Sequence, residues 1–438
     1  MSEELDTHRR ALAVNLDPSV YGVFAEIGAG QEVARWFFRV GGAAGTVAKT
    51  ISAYDMTFSD AIYGKSGRYV SRDRVEAMLA YEYRLLHERL SADRAATTRY
   101  FVFADSIAAR NYAGTNECHG WLGMRFQKDP QSQPSEILLH VNLLEPSNLL
   151  QQQSLGILGV NLVYSAFYER QTPEQLLKSF FADLSINRLE IDVVEFSGPA
   201  FGDFDARKVG MLLVRNGYGN AVLFHNGQLT QPTDIIRKKP MILVRGVFRT
   251  ENTVEVELMH AAVGQLGAES GSLEREPSPL FEMSVRPIHG EVPADEELLR
   301  RVERLNNLGM PVAVTRFSES YRLTEYFRRY TKEPMRFAMG ASTIVEIFQT
   351  AYGDLIGGLL EALGRLLAEN VKIYVFPMPA AIFRKRLADA GLDARLFCAD
   401  GGDAVTARHI RLPPPIGHLY TYLLESGWVV PVQTAGRL

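Results

Sequence analysis

The sequence predicts an α/β protein with mostly parallel sheets flanked by helices, arranged as two Rossmann-like lobes. Three observations carry this. From Leu189 onward, short apolar runs rich in Val, Ile and Phe alternate with stretches of helical periodicity. Near the start, Tyr21 to Asp60 reads as strand, glycine turn, helix, second glycine loop and a further strand or helix. A polar segment with two prolines, Ala268 to Pro279 (AESGSLEREPSP), parts one such run from the next. On this reading residues 1–270 form an N-terminal α/β region containing the Gly-rich loops, and residues 280–438 form a C-terminal α/β domain.

The bulk numbers agree. A chain of 438 residues can bury a large core, and 46% hydrophobic with 22% charged residues excludes wholesale disorder. A net charge of −4 gives no electrostatic footprint for nucleic acid. Two cysteines, Cys118 and Cys398, exclude a disulfide framework and fit a reducing cytoplasm. The opening MSEELDTHRRALAVNLDPS is too polar for a signal peptide. The longest apolar stretch, Leu155 to Phe167, is too short to span a bilayer and reads as a buried helix. No membrane partner is expected.

In chain order, Met1 to Pro18 is an arm or short helix. Val23 to Ile27 is a strand, Gln31 to Val40 a helix and Thr46 to Ala53 a candidate second strand. Ser71 to Leu90 is an amphipathic helix that Ser71 can cap. Arg99 to Ala104, Trp121 to Phe126 and Ile137 to Leu144 are strands. Leu149 to Tyr168 and Thr172 to Ala182 are helices, the latter opened by Pro173. Leu189 to Phe196 and Asn220 to His225 are strands around the helix Asp205 to Asn216, which Gly217 closes, and Asn226-Gly227 is a hairpin turn. Met241 to Phe248 is a strand and Val254 to Leu266 a helix. After the polar segment come strands at Leu280 to Val285, Pro311 to Thr315 and Val371 to Phe376. Helices are expected at 294–308, 321–330, 342–352, 355–369, 380–390 and 417–425.

The candidate ligand centre is the stretch from Tyr21. A strand feeding a helix through Gly28-Ala29-Gly30 brings unpaired amides and the positive end of the helix dipole to one point, which suits a phosphate or carboxylate. The spacing Gly28-x-Gly30-x-x-Val33 is a dinucleotide fingerprint with its third glycine replaced, and Asp55 falls 22 residues after Val33, where a ribose-binding acid is expected. Glu26 to Gly30 also resembles the first motif of S-adenosylmethionine methyltransferases, without its further glycine. In the second loop, Gly41 to Thr50, Lys49-Thr50 resembles the end of a P-loop whose two glycines are replaced by Ala43 and Ala48. Glycine amides with Lys49 and Thr50 still make an anion seat. The plain alternative is a helix C-cap followed by a tight turn.

The run GAGQEVARWFF…GGAAGTVAKT, with the later TNECHGW, resembles a bacterial family of proteins of unassigned role that go under names such as nicotinamide mononucleotide adenylyltransferase and TonB-dependent receptor. The resemblance spans most of the chain. The first name implies paired histidines after the first strand, and none lies between His8 and His87. The second implies an export signal and a membrane barrel, and neither is visible.

Thr115 to Trp121 (TNECHGW) gathers several reactive side chains. Cys118 and His119 point to opposite faces if this is a strand, so Asn116, Glu117 and His119 are the better polar contacts. No metal-ligand spacing is present, and no metal is expected. Asp105, Ser106, Arg110 and Asn111 follow a strand end, the side that faces the ligand crevice in parallel sheets. Arg316 to Lys332 is basic, with interleaved glutamates that make a salt-bridged surface the simpler explanation. Asp400-Gly401-Gly402-Asp403 is a turn able to hold a hydrated divalent ion.

The first functional reading is therefore a cytoplasmic nucleotide- or dinucleotide-binding protein, with NAD or another nucleotide as cofactor and a phosphate-bearing small molecule as ligand. Gly28, Gly30 and Gly45 would admit the phosphates, Lys49 and Thr50 neutralise them, and Asp55 hold a ribose. Asp105, Glu117 and His119 would be the acid–base or positioning groups. The sequence leaves open whether the protein is an enzyme. Two alternatives stand beside this: a non-catalytic subunit of a homo-oligomer, anchored by Trp36, Tyr54, Tyr63 and Tyr69, and a methyltransferase.

Overall fold

A computed structural model describes residues 5–28, 30–248, 254–270, 274–286, 292–398 and 403–432. Residues 1–222 and 223–438 form two compact units. The expected boundary between 270 and 280 therefore falls inside the second unit, because the strands on either side of it pair with each other.

The first unit contains α1 (Thr7–Asn15), β1 (Val20–Ile27), α2 (Glu32–Val40), β2 (Val47–Ile51), α3 (Met56–Tyr63), α4 (Arg72–Arg94), β3 (Arg99–Ala108), β4 (His119–Gln127), β5 (Pro134–Leu143), α5 (Asn148–Tyr168), α6 (Pro173–Phe180), β6 (Leu189–Ser197) and α7 (Ala206–Asn216). Its sheet has the order β2-β1-β3-β4-β5-β6. The first three strands are parallel, and the remaining pairings are antiparallel. The helix α2 packs on one face, where Phe24 and Phe37 lie 4.9 Å apart. The helix α4 covers the other face, its Val75 and Leu79 against Gly123. Glycines let α2 and α5 approach closely: a Cβ at Gly159 would lie 2.3 Å from the Val33 side chain.

The second unit contains β7 (Ala221–His225, which runs across the division), β8 (Gln228–Thr230), α8 (Pro232–Ile236), β9 (Met241–Arg245), α9 (Val254–Ser270), β10 (Ser278–Ser284), α10 (Asp295–Asn307), β11 (Val312–Thr315), α11 (Ser320–Phe327), β12 (Met335–Gly340), α12 (Ala341–Gln349), α13 (Gly358–Leu366), β13 (Val371–Phe376), β14 (Met378–Pro379), α14 (Ala380–Asp389), β15 (Ala404–Val405), α15 (Ile416–Glu425) and β16 (Val429–Pro431). Its main sheet runs β16-β13-β12-β9-β10-β11-β7-β8. The pairs from β16 to β11 are parallel. Counting from β9, this is the 3-2-1-4-5-6 order of doubly wound nucleotide-binding sheets. The chain turns back across β9 to place β12 on its far side. The β7–β8 hairpin closes through Asn226 and Gly227, both at positive φ.

The expected helix signals are present at Pro173, in the first turn of α6, and at Gly217, whose left-handed backbone ends α7; the Thr172 and Asp205 side chains cap the same two helices. No strand is expected from the sequence at Met335–Gly340. It pairs with β9 and β13, and its second residue, Arg336, 3% exposed, donates to the Asn370 carbonyl and reaches Glu269 at 3.1 Å.

Candidate functional site

The carboxyl end of the first sheet collects buried polar groups from five strands. Parallel pairing of β1 with β3 sets Glu26 opposite Asp105. Both are at most 2% exposed. The Glu26 carboxylate accepts from the Val33 amide at 2.9 Å and the Ala34 amide at 3.3 Å, in the first turn of α2. Asp105 accepts from the Ile27 amide at 3.0 Å. Burial, opposed by the two helix amides, pushes the Glu26 carboxyl up to about 7. Burial and the neighbouring Glu26 push Asp105 well above the usual carboxylate range. Glu26 has two N–H donors and Asp105 one, so Asp105 retains its proton to the higher pH and the pair titrates in two steps.

This arrangement changes the roles expected of the glycine loops. The α2 amides that would meet a phosphate are held by the protein's own Glu26. Gly28 is required by geometry: its φ is +101°, and a Cβ there would lie 1.9 Å from the Ile107 carbonyl oxygen. Gly30 also has a positive φ, +81°. Gly45 lies in a short turn before β2, at the opposite end of the strand from the Gly28 turn, so the two glycines share no site. Lys49 pairs with Glu82, which is 1% exposed and also accepts from the Tyr63 hydroxyl at 2.9 Å. Thr50 Oγ1 accepts from Gln31 at 2.8 Å. Asp55 caps α3 by accepting from the Phe58 amide at 2.9 Å.

Among the expected catalytic residues, Glu117 is exposed in the loop before β4. Asp105 and His119 both belong to the polar end of the sheet. The β4–β5 register pairs Trp121 with His140 and His119 with Asn142, which makes His119 and His140 diagonal neighbours on one face. The β5–β6 register then slips: His140 faces Val193 while Val141 faces Ile191. Asp192 is the extra residue of this bulge, and the bulge aims it at His140. His140 Nδ1 lies 2.5 Å from Asp192 Oδ1, and His140 Nε2 lies 3.0 Å from His119 Nδ1. Asn142 Nδ2 donates to the other Asp192 oxygen at 2.9 Å.

A carboxylate only accepts, so His140 donates through Nδ1 and accepts at Nε2. His119 then donates through Nδ1, which leaves its Nε2 as the basic nitrogen of the chain. His140 and Asp192 are 1% exposed, whereas His119 is half-buried. The chain of rings thus runs from the interior to the half-buried His119. His140 and Asp192 are not among the residues expected from sequence. Their signal is a His, an Asn and an Asp spaced within otherwise apolar strands, LLHVNL and LEIDVV.

Other expectations resolve locally. Of the four interface aromatics, Tyr63 is buried, Trp36 lies against Gly156, and the Tyr69 hydroxyl donates to Asp60. Tyr54 is 71% exposed. In the basic stretch Arg322 pairs with Glu319 and Lys332 with Glu369. Residues 400–402 of the acidic loop lie outside the described residues. Among the described residues no group of three or more His, Cys, Asp or Glu could hold a metal ion, and no helix is long and apolar enough to cross a membrane.

The fold and site define an α/β protein with a buried polar cluster at the carboxyl end of one sheet and a doubly wound second sheet. No family model and no curated protein matches the chain. Solved structures similar to it include a competence/damage inducible protein from Agrobacterium tumefaciens, at 13% identity and TM-score 0.27, covering 38% of this chain and 98% of that one. A competence-damaged (CinA) superfamily protein from Enterobacter cloacae has 13% identity and TM-score 0.27, covering 38% and 94%. One from Escherichia coli has 14% identity and TM-score 0.25, covering 36% and 85%.

Proposed function

We propose that the first unit is an enzyme active site that moves a proton on a small polar molecule, with His119 as general base. One observation carries this reading: the Asp192–His140–His119 chain, which ends in a basic nitrogen near the surface. Asp192 fixes the tautomer of His140, and His140 in turn orients His119, so that Nε2 can take a proton from water or a substrate hydroxyl. The substrate class we propose to screen is small polar molecules, nucleotides and other phosphate-bearing compounds among them; the Glu26-filled end of α2 gives no support for phosphate binding there.

The test follows turnover of a nucleotide and phosphorylated-metabolite panel by mass spectrometry, with wild type, His119→Gln and Asp192→Asn side by side. A compound consumed by wild type, lost in His119→Gln and slowed about 100-fold or more in Asp192→Asn supports the reading. Equal consumption by wild type and His119→Gln, or none by wild type, overturns it.

A further inference from the structure

The two units treat their helix N-termini in opposite ways. In the first, α2 receives Glu26. In the second, α12 starts directly after β12, with Gly340 as its N-cap residue and no side-chain cap. At the second position of α12, Ser342 is completely buried and its Oγ has no hydrogen-bond partner. The Cα–Cβ bonds of a helix lean toward its amino end, which puts the Ser342 Cβ on the side of the first-turn amides. A buried hydroxyl without a partner beside a helix end that no side chain caps is a place where an acceptor would be met.

The position of α12 gives these donors their meaning. The parallel β9–β12 register pairs Val244 with Ala338, and two residues further on stand Gly246 and Gly340. This is the point where the strand order reverses, and it is where doubly wound sheets open a crevice at their carboxyl ends. Gly340 places no side chain over the amino end of α12, whose first residues Ala341 and Ser342 are buried. A Cβ there would meet only the Met378 Cε, at 2.4 Å, the mobile tip of a thioether able to swing aside. On the β9 side Val247 is 49% exposed and offers an apolar wall. The stretch Gly246 to Val254 (GVFRTENTV) has one glycine, so the loop after β9 lacks the fingerprint that lets a backbone approach a pyrophosphate.

We propose that the second unit binds a nucleoside monophosphate at the carboxyl end of its sheet. The phosphate sits on the amino end of α12 and on the Ser342 hydroxyl, and the nucleoside lies against Val247. This site is separate from the His119 relay and does not depend on the catalytic reading.

Isothermal titration of the full-length protein with AMP, adenosine and inorganic phosphate tests it. Wild type is expected to bind AMP at least about ten-fold more tightly than either adenosine or phosphate alone, since each supplies only part of the contact. Gly340→Asp places a carboxylate where it caps α12 and repels a phosphate, as Glu26 does in α2. It is expected to weaken AMP binding about ten-fold or more while leaving the melting temperature unchanged or higher. Ser342→Ala is expected to weaken binding about three- to ten-fold and provides the deciding variant if Gly340→Asp fails to fold. His119→Gln is expected to bind AMP as wild type does, which separates failure here from failure of the catalytic reading. The proposal is overturned by AMP binding unchanged in both α12 variants, by phosphate binding as tightly as AMP, or by no AMP binding at millimolar concentration.

Discussion

Replacing Glu26 by glutamine tests the physical account of the first sheet's polar end. Glu26 has a folded-state pKa of about 7 against an ordinary value of 4.5. In the interval between them the folded protein holds a proton that the unfolded chain has released. Stability from this group is therefore complete below about pH 4.5, declines as pH rises toward 7, and is level above. At about 1.4 kcal/mol per pH unit the decline is on the order of 3 kcal/mol. Glutamine keeps one oxygen for the Val33 amide, gives up the weaker bond from the Ala34 amide, which Glu26 meets with its other oxygen, and cannot ionise, so it removes Glu26's share of the slope and relieves Asp105 of a neighbouring charge. Asp105 remains raised by burial, so a residual slope persists, and Glu26→Gln with Asp105→Asn should remove that as well. Urea unfolding followed by circular dichroism at pH 5, 6, 7 and 8 measures the effect. If Glu26→Gln loses as much stability between pH 5 and 8 as wild type, the buried carboxylate pair is not the source and the reasoning fails.

Three further substitutions probe the packing around the same unit. Lys49→Ala leaves the buried Glu82 with only Tyr63. It should cost about 1–2 kcal/mol, less than the ~3–5 kcal/mol of a fully buried pair because the Lys49 side chain is 37% exposed, as read from urea midpoints. Gly159→Ala drives a methyl into Val33 and should cost about 1–3 kcal/mol, seen as a lower melting temperature. Asn161→Leu removes the donor to the Phe180 and Ala182 carbonyls, at 3.0 and 2.7 Å, and should cost about 2–4 kcal/mol in the same assay.

Signals contained within a few residues were readable from the sequence. Pro173 behind Thr172, Asp205 with Gly217, and Asn226-Gly227 act through their own backbone and set element ends wherever the element lies. Features set by distant partners were not readable. β12 carries a buried arginine at its second position, which Glu269 and the Asn370 carbonyl help make tolerable. The Gly28-x-Gly30 turn announced an acceptor for the α2 amides, and the acceptor found there is the Glu26 carboxyl. Whether it comes from a ligand or from Glu26 depends on the side-chain direction of a residue on the preceding strand. His119 stood out beside Cys118 and Glu117, but its partners are set by strand register and by a one-residue bulge that no local pattern specifies.

The two buried constellations of the first unit differ in what they do for stability, and that difference gives a final test of function. Glu26 secures α2, so a fold-level reason for it exists. Among the interactions described, His140 and Asp192 bond to each other, to His119 and to Asn142, in interior space that apolar side chains would fill at lower desolvation cost. On the proposed function, the proton chain toward His119 is the reason they are there. Substituting His140→Leu alone leaves Asp192 buried with Asn142 as its remaining donor from the chain, and should cost about 3–5 kcal/mol. Adding Asp192→Leu removes the stranded charge and should bring stability back to within about 1 kcal/mol of wild type, or above it, while turnover of any substrate found for the protein stays lost. If the double variant remains as unstable as the single one, the pair is a structural keystone and the case for a catalytic relay loses its foundation.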